Sequence, residues 1–138
     1  MTANADDPVN FQQRALDAVT SYLMSNLIRY MGFGTGNTAI SLTTSDVDTP
    51  VSVESGVRNL AVEDFTLNGN FFKAHFVLTQ AMPVTQPSDI QQIGVHSGED
   101  DTTELYWGHT FRVALTKNSD SQWDIWLSGK VVEIERLV

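Results

Sequence analysis

From Leu27 onward, apolar and polar residues alternate in short runs broken by turn signals, which is the period of strands rather than helices. LIRYMGF (27–33) is apolar and aromatic until Gly34 and Gly36 break it. Val57 to Leu67 reads as a strand closed by Asn68-Gly69-Asn70, a strong hairpin signal. In FFKAHFVLT (71–79), Phe72, Ala74, Phe76 and Leu78 share one face, and Lys73 and His75 share the other. Ile90 to His96 is a short run that ends at the acidic turn SGEDD (97–101). Leu105, Trp107, His109, Phe111, Val113 and Leu115 alternate over a long run and predict one strand with an apolar face. Trp123, Ile125 and Leu127 alternate again. After Gly129 the apolar phase moves to Val132 and Ile134, which predicts a bulge or bend at Ser128-Gly129. TQPSD (85–89) and KNSDSQ (117–122) read as loops.

A helical period occurs only over residues 8–25. Asp7 is a good N-cap and Pro8 suits the first helical position. Phe11, Ala15, Ala18, Val19, Tyr22 and Leu23 make the apolar stripe. Such a stripe needs a surface, either the chain's own sheet or a neighbouring subunit. Without helices between the strands, parallel crossovers are excluded. The expected fold is all-β, an antiparallel β-sandwich of jelly-roll type with one N-terminal α-helix. A polar tail and amphipathic helix occupy residues 1–26, and the sandwich occupies 27–138.

Composition narrows the function classes. The 138 residues are 41% hydrophobic, enough for one buried core. With no cysteine, disulfide frameworks, zinc fingers and thiol nucleophiles are excluded. Seventeen acids against eight bases give a net charge of −9. With three lysines against eleven aspartates, neither nucleic acid nor an anionic membrane is an expected partner. The acid excess suits a high-salt host, in which acidic, lysine-poor surfaces stay hydrated. No basic, apolar leader and no membrane-length apolar run is present in the sequence.

Little in the chain reads as chemistry. GFGTG (32–36) looks like a dinucleotide loop, but it leads into turn and β-branched residues rather than a helix. His75, His96 and His109 lack close ligand spacing, and the phase of His109 predicts a core histidine. Asp46 and Asp48, or Glu99 to Asp101, offer oxygen ligands without a calcium-loop pattern. Glu133 and Glu135 share one strand face, which suits solvent better than a hydrolytic cleft. No G-x-S-x-G elbow occurs. No enzyme activity, cofactor or metal is expected. Trp107 and Trp123 are phased inward, whereas Trp126 is phased outward, where it suits an oligomer contact or a sugar platform.

The order of these segments resembles small tail-fibre-type and fibre-adaptor structural proteins of tailed viruses of bacteria and archaea. The resemblance runs over about residues 27–135. It is carried by MGFGTGNTAISLTTSDVDTPVSVESGVRNLAV (31–62), NFFKAHFVLT (70–79), SDIQQIGVHSG (88–98) and ELYWGHTFRVALTKNSDSQWDIWLSGKVVEIE (104–135). The chain departs from that pattern at Gln92, where an acid is usual, and at Gly108-His109, where a base is common. The resemblance implies a virion protein, in a tail fibre or baseplate adaptor or in a capsid turret or decoration. It implies a trimer, pentamer or hexamer in contact with other virion proteins and with a host receptor. Combined with the composition, it suggests a virus of a halophilic archaeon. The expected contact residues are Phe11, Ala15, Val19, Tyr22 and Leu23 of the helix, with Phe71, Val77 and Trp126 of the strands. A receptor- or glycan-binding module is the alternative.

Overall fold

The computed structural model describes residues 14, 15, 17–19, 21, 22, 26–68, 71–100 and 104–130. Eight strands follow in order: β1 (Tyr30–Gly34), β2 (Pro50–Val51), β3 (Leu60–Ala61), β4 (Asp64–Asn68), β5 (Phe71–Leu78), β6 (Ser88–His96), β7 (Leu105–Lys117) and β8 (Trp123–Lys130). All pairings are antiparallel. β2 and β3 share one edge of β1, β6 takes the other edge, and β7 follows β6, making a five-stranded sheet. The order β4-β5-β8 makes the second, three-stranded sheet. The fold is the all-β antiparallel sandwich that the alternation predicts. Residues 14, 15, 17–19, 21 and 22 are helical, and the rest of the predicted helix lies outside the described residues.

The core lies between the sheets. Met31 and Phe33 of β1, Ala74, Phe76 and Leu78 of β5, and Ile90 and Ile93 of β6 meet there. The face predicted for β5 is the buried one. Trp123, Ile125 and Leu127 of β8 pack against the same cluster, half-buried. Each large side chain removed from water contributes ~1.5–3 kcal/mol before ordering costs.

The sheets are unequal, and this corrects several expectations. The run Val57–Leu67 is two strands, β3 in one sheet and β4 in the other, with the crossing at Val62-Glu63. There the Val62 N–H donates to Arg29 O and the Glu63 N–H to His75 O. The hairpin after it is in place, with Asn68 opposite Phe71. β8 pairs with β5 in unbroken register from Trp123 to Lys130, so no bulge falls at Ser128-Gly129. The phase change to Val132 and Ile134 lies outside the described residues.

β7 departs furthest from its prediction. Its register against β6 shifts twice, between Val95 and His96 and between Gln92 and Ile90. Extra residues of β7 accumulate there, around Tyr106 and over 111–114, and they break the single apolar face. Leu105 turns to the back of the sheet, against Gly94 and Gly108. Trp107 and His109 do lie opposite Val95 and Ile93. Both are nevertheless exposed, Trp107 at 40%, because a three-stranded sheet does not reach over the fifth strand. Val113 is 70% exposed and Leu115 is also exposed. Neither His109 nor Trp107 is a core residue.

A third layer covers the back of the five-stranded sheet. Gly32, Gly94 and Gly108 stand opposite one another across β1, β6 and β7. The segment 35–59 packs on this glycine row through Ile40 and Val47. A Cβ at Gly34 would collide with the Asp48 carbonyl. GFGTG is therefore no phosphate loop: Gly32 and Gly34 lie within β1 and make room for the covering segment.

Candidate functional site

The outer face of the three-stranded sheet carries an aromatic and polar cluster. Odd residues of β5 and even residues of β4 and β8 point there, because the odd-numbered β8 residues and even-numbered β5 residues fill the core. Register sets His75 between Asp64 of β4 and Trp126 of β8. The rings of His75 and Trp126 stack, with centroids 4.1 Å apart at 5°. Lys73 Nζ lies 4.2 Å from the Trp126 ring centroid, a cation–π contact. His75 Nε2 donates to Asp124 Oδ1 at 2.8 Å, and Nδ1 lies 3.7 Å from Asp64 Oδ2. Trp126 remains 52% exposed and Phe71 53% exposed. The cluster thus presents an indole held in one orientation among a cation, two carboxylates and an imidazole.

A second apolar surface runs along the open side of the sandwich. β7 ends one sheet and β8 ends the other, and among the described residues no strand pairs with their outer edges. Between them lies a slot of about 450 Å³ lined by Ile93, Phe111, Leu115, Trp123, Ile125 and Trp126. The rings of Trp107 and His109 stack at 6.2 Å, and His109 meets Phe111 edge-on at 5.0 Å, so an aromatic row leads along β7 into the slot.

The back layer is held by polar groups. Asp48 Oδ2 accepts from the Thr38 hydroxyl at 2.7 Å and the Thr38 N–H at 3.0 Å. The Thr38 hydroxyl bond, then the Thr38 N–H and the Thr49 hydroxyl, hold the Asp48 carboxyl below its usual value of 3.8. Arg58 Nη2 donates to both Asp46 oxygens at 2.5 Å, and His96 Nε2 lies 3.6 Å from Asp46 Oδ1. Asn59 Nδ2 donates to Gly98 O at 2.9 Å. Lys117 is buried, and desolvation pushes its pKa down from 10.5. Its ammonium donates to Thr79 O and Asn118 O.

These contacts place each predicted residue. The structure brings Phe71, Val77 and Trp126 to the same outer face. Val77 is half-buried there, in a cavity of about 440 Å³ that it shares with Tyr30, Glu54, Glu63 and Glu99. Ala15, Val19 and Tyr22 are exposed, Tyr22 at 58%, so these parts of the helical stripe are not covered by the sandwich. Phe11 and Leu23 lie outside the described residues. The three histidines lie apart: His75 on the outer face of the small sheet, His96 fully buried against Gly32, and His109 exposed on β7. Among the described residues, no group of three His, Cys, Asp or Glu is placed to hold a metal ion. Asp46 pairs with Arg58, and Asp48 is enclosed by Thr38 and Thr49. Among the same residues, no helix is long and apolar enough to cross a membrane. Lys73, His75 and Asp124 join Trp126 only through strand register, and alternation alone gives no sign of that. No protein-family model matches the chain, and no curated protein is similar to it.

Proposed function

We propose that this chain is a virion structural subunit, of a tail fibre or baseplate adaptor or of a capsid turret or decoration, that assembles with copies of itself. The observation that carries the reading is the apolar open side of the sandwich. A 13-residue edge strand leaves Tyr106, Trp107, Val113 and Leu115 exposed, and the Trp126 edge adjoins it. Exposed apolar surface beside strand edges that no described strand pairs with is what a repeated building block buries against its neighbours. The exposed helical residues Ala15, Val19 and Tyr22 support the same reading, as does the motif resemblance over 27–135. The acidic, lysine-poor composition fits a halophilic host. Mass spectrometry of purified particles tests the proposal, and absence of the chain from the particle refutes it.

A receptor- or glycan-binding role is the second reading. It is favoured by Trp126, an exposed indole beside Lys73, His75 and Asp124. Screening on a glycan array, with Trp126→Ala as the comparison, separates the two. Binding that survives the substitution removes Trp126 as the platform.

A further inference from the structure

We infer that the groove beside Phe71, on the outer face of the small sheet, binds a saccharide that carries a carboxylate, with Lys73 as its charge partner and the Phe71 ring as its platform. The inference rests on the glycan-binding reading above, moves the platform from Trp126 to Phe71 and names the class of sugar. Three observations carry it.

The first is the groove that strand register builds. Thr66, Lys73 and Ser128 stand opposite one another in one row across β4, β5 and β8. Asn68 and Phe71 begin the next row toward the hairpin. Over these two rows lies a cavity of about 510 Å³, lined by Thr66, Asn68, Phe71, Lys73, Ser128 and Gly129 among others. That falls within the ~300–1,000 Å³ of small-ligand sites. Its polar groups are two hydroxyls, an amide and an ammonium, which is the donor and acceptor set that sugar hydroxyls need. The Thr66 hydroxyl donates to Lys73 O at 3.5 Å and keeps its lone pairs for a sugar hydroxyl. Phe71 is 53% exposed at one end, so an apolar sugar face can rest on it while the hydroxyls meet the row beside it.

The second is charge. The cavity around Val77 is lined by Glu54, Glu63 and Glu99, and the slot between β7 and β8 by Asp124. The groove beside Phe71 carries Lys73 and no acid. The two carboxylates of this face, Asp64 and Asp124, lie beyond Lys73 and are turned to His75. In a chain of net charge −9, Lys73 makes no ion pair among the described residues. A lone ammonium at the wall of an acid-free groove is complementary to one carboxylate.

The third is what Trp126 already does. His75 stacks on one face of the indole with centroids 4.1 Å apart, and Lys73 Nζ lies 4.2 Å from the ring centroid. The indole therefore positions the ammonium instead of receiving the sugar. An ammonium has three N–H donors, so contact with the ring leaves others for an anion.

Isothermal titration of the full-length chain tests this, in about 0.1 M salt, where the screening length is ~10 Å. The probes are trigalacturonic acid, the neutral trisaccharide made by reducing its carboxylates, and triglutamate. The acidic trisaccharide is expected to bind roughly tenfold more tightly than the neutral one. Lys73→Met should abolish that preference, and Lys73→Arg should keep it. Phe71→Ala should weaken both saccharides alike, by roughly fivefold. Trp126→Ala should lower the preference for the acidic sugar, and Trp126→Phe should restore it. A cooperative urea transition in each variant shows that it is folded. Equal affinity for the two saccharides overturns the inference. So do triglutamate binding as tight as the acidic sugar's, acidic-sugar binding that survives Lys73→Met or Phe71→Ala, and binding of neither saccharide. The glycan reading itself falls only when the glycan array shows no ligand at all, so the two failures are read separately.

Discussion

Gln92 and Asp48, 44 residues apart, are joined through the back of the larger sheet: the Asp48 N–H donates to Gln92 Oε1 at 2.8 Å. Gln92 Nε2 in turn donates to Thr38 O at 2.5 Å and to Thr110 Oγ1 at 3.1 Å. One fully buried amide on β6 thus ties the covering segment at Thr38 and Asp48 to β6 and β7.

Replacing that amide should be costly. Gln92→Leu leaves the Asp48 N–H and the Thr38 carbonyl without their partner in a part-buried setting. Each such loss costs ~1–3 kcal/mol when the group is fully buried, so a total towards the lower end, about 2–4 kcal/mol, is expected in urea unfolding. Gln92→Glu should be destabilising too, because a carboxylate cannot donate to Thr38 O.

Acid should loosen the same clasp. The folded Asp48 carboxyl has a lowered pKa, so it binds its proton less readily than in the unfolded chain. Its contribution is complete above the usual value of 3.8 and is lost as pH falls through the lowered folded value. Asp48→Asn should therefore flatten the acid limb of stability against pH. An unchanged slope below pH ~4 would show that other carboxylates carry it.

Glycine in β1 is required by close approach. Gly34→Ala drives a methyl group into the Asp48 carbonyl and Val47 Cβ, both held by backbone. The expected loss is ~1–3 kcal/mol, typical of overpacking. Gly56 has φ +76° with open space around it, so Gly56→Ala should cost only about 1 kcal/mol, from backbone strain.

The two faces of the small sheet should respond differently. Phe76→Ala empties a fully buried site and should cost ~3–5 kcal/mol. Trp126→Ala removes a half-exposed ring with its His75 stack and Lys73 contact, about 1 kcal/mol of folding stability. A loss of assembly or of ligand binding larger than that stability loss would assign Trp126 to a contact surface.

Salt should strengthen association. Copies with net charge −9 repel one another, and at 1 M ionic strength the screening length falls to ~3 Å. Sedimentation in 0.1 M and in molar salt should show larger species at the higher concentration. Deleting residues 1–24 should leave a folded sandwich with weakened assembly. Equal assembly by the shortened chain would remove the helix from the contact.

Alternation was sufficient to assign β1, β5, β6 and β8 and the inward face of β5. A strand half-buried against a core must repeat every two residues, whatever it pairs with. The same local rule marked Trp126 as outward, and composition set the charge that governs association. What the sequence left open depends on which strand lies beside which. Trp107 and His109 obey the inward phase and are still exposed, because five strands face three and nothing in β7 records that mismatch. Val57–Leu67 reads as one run, yet it serves two sheets. Lys73, His75, Asp124 and Trp126 form a cluster only once β5 and β8 pair in register. Gly32, Gly94 and Gly108 are separated by tens of residues, and only the aligned sheet makes them the bed on which Ile40 and Val47 rest.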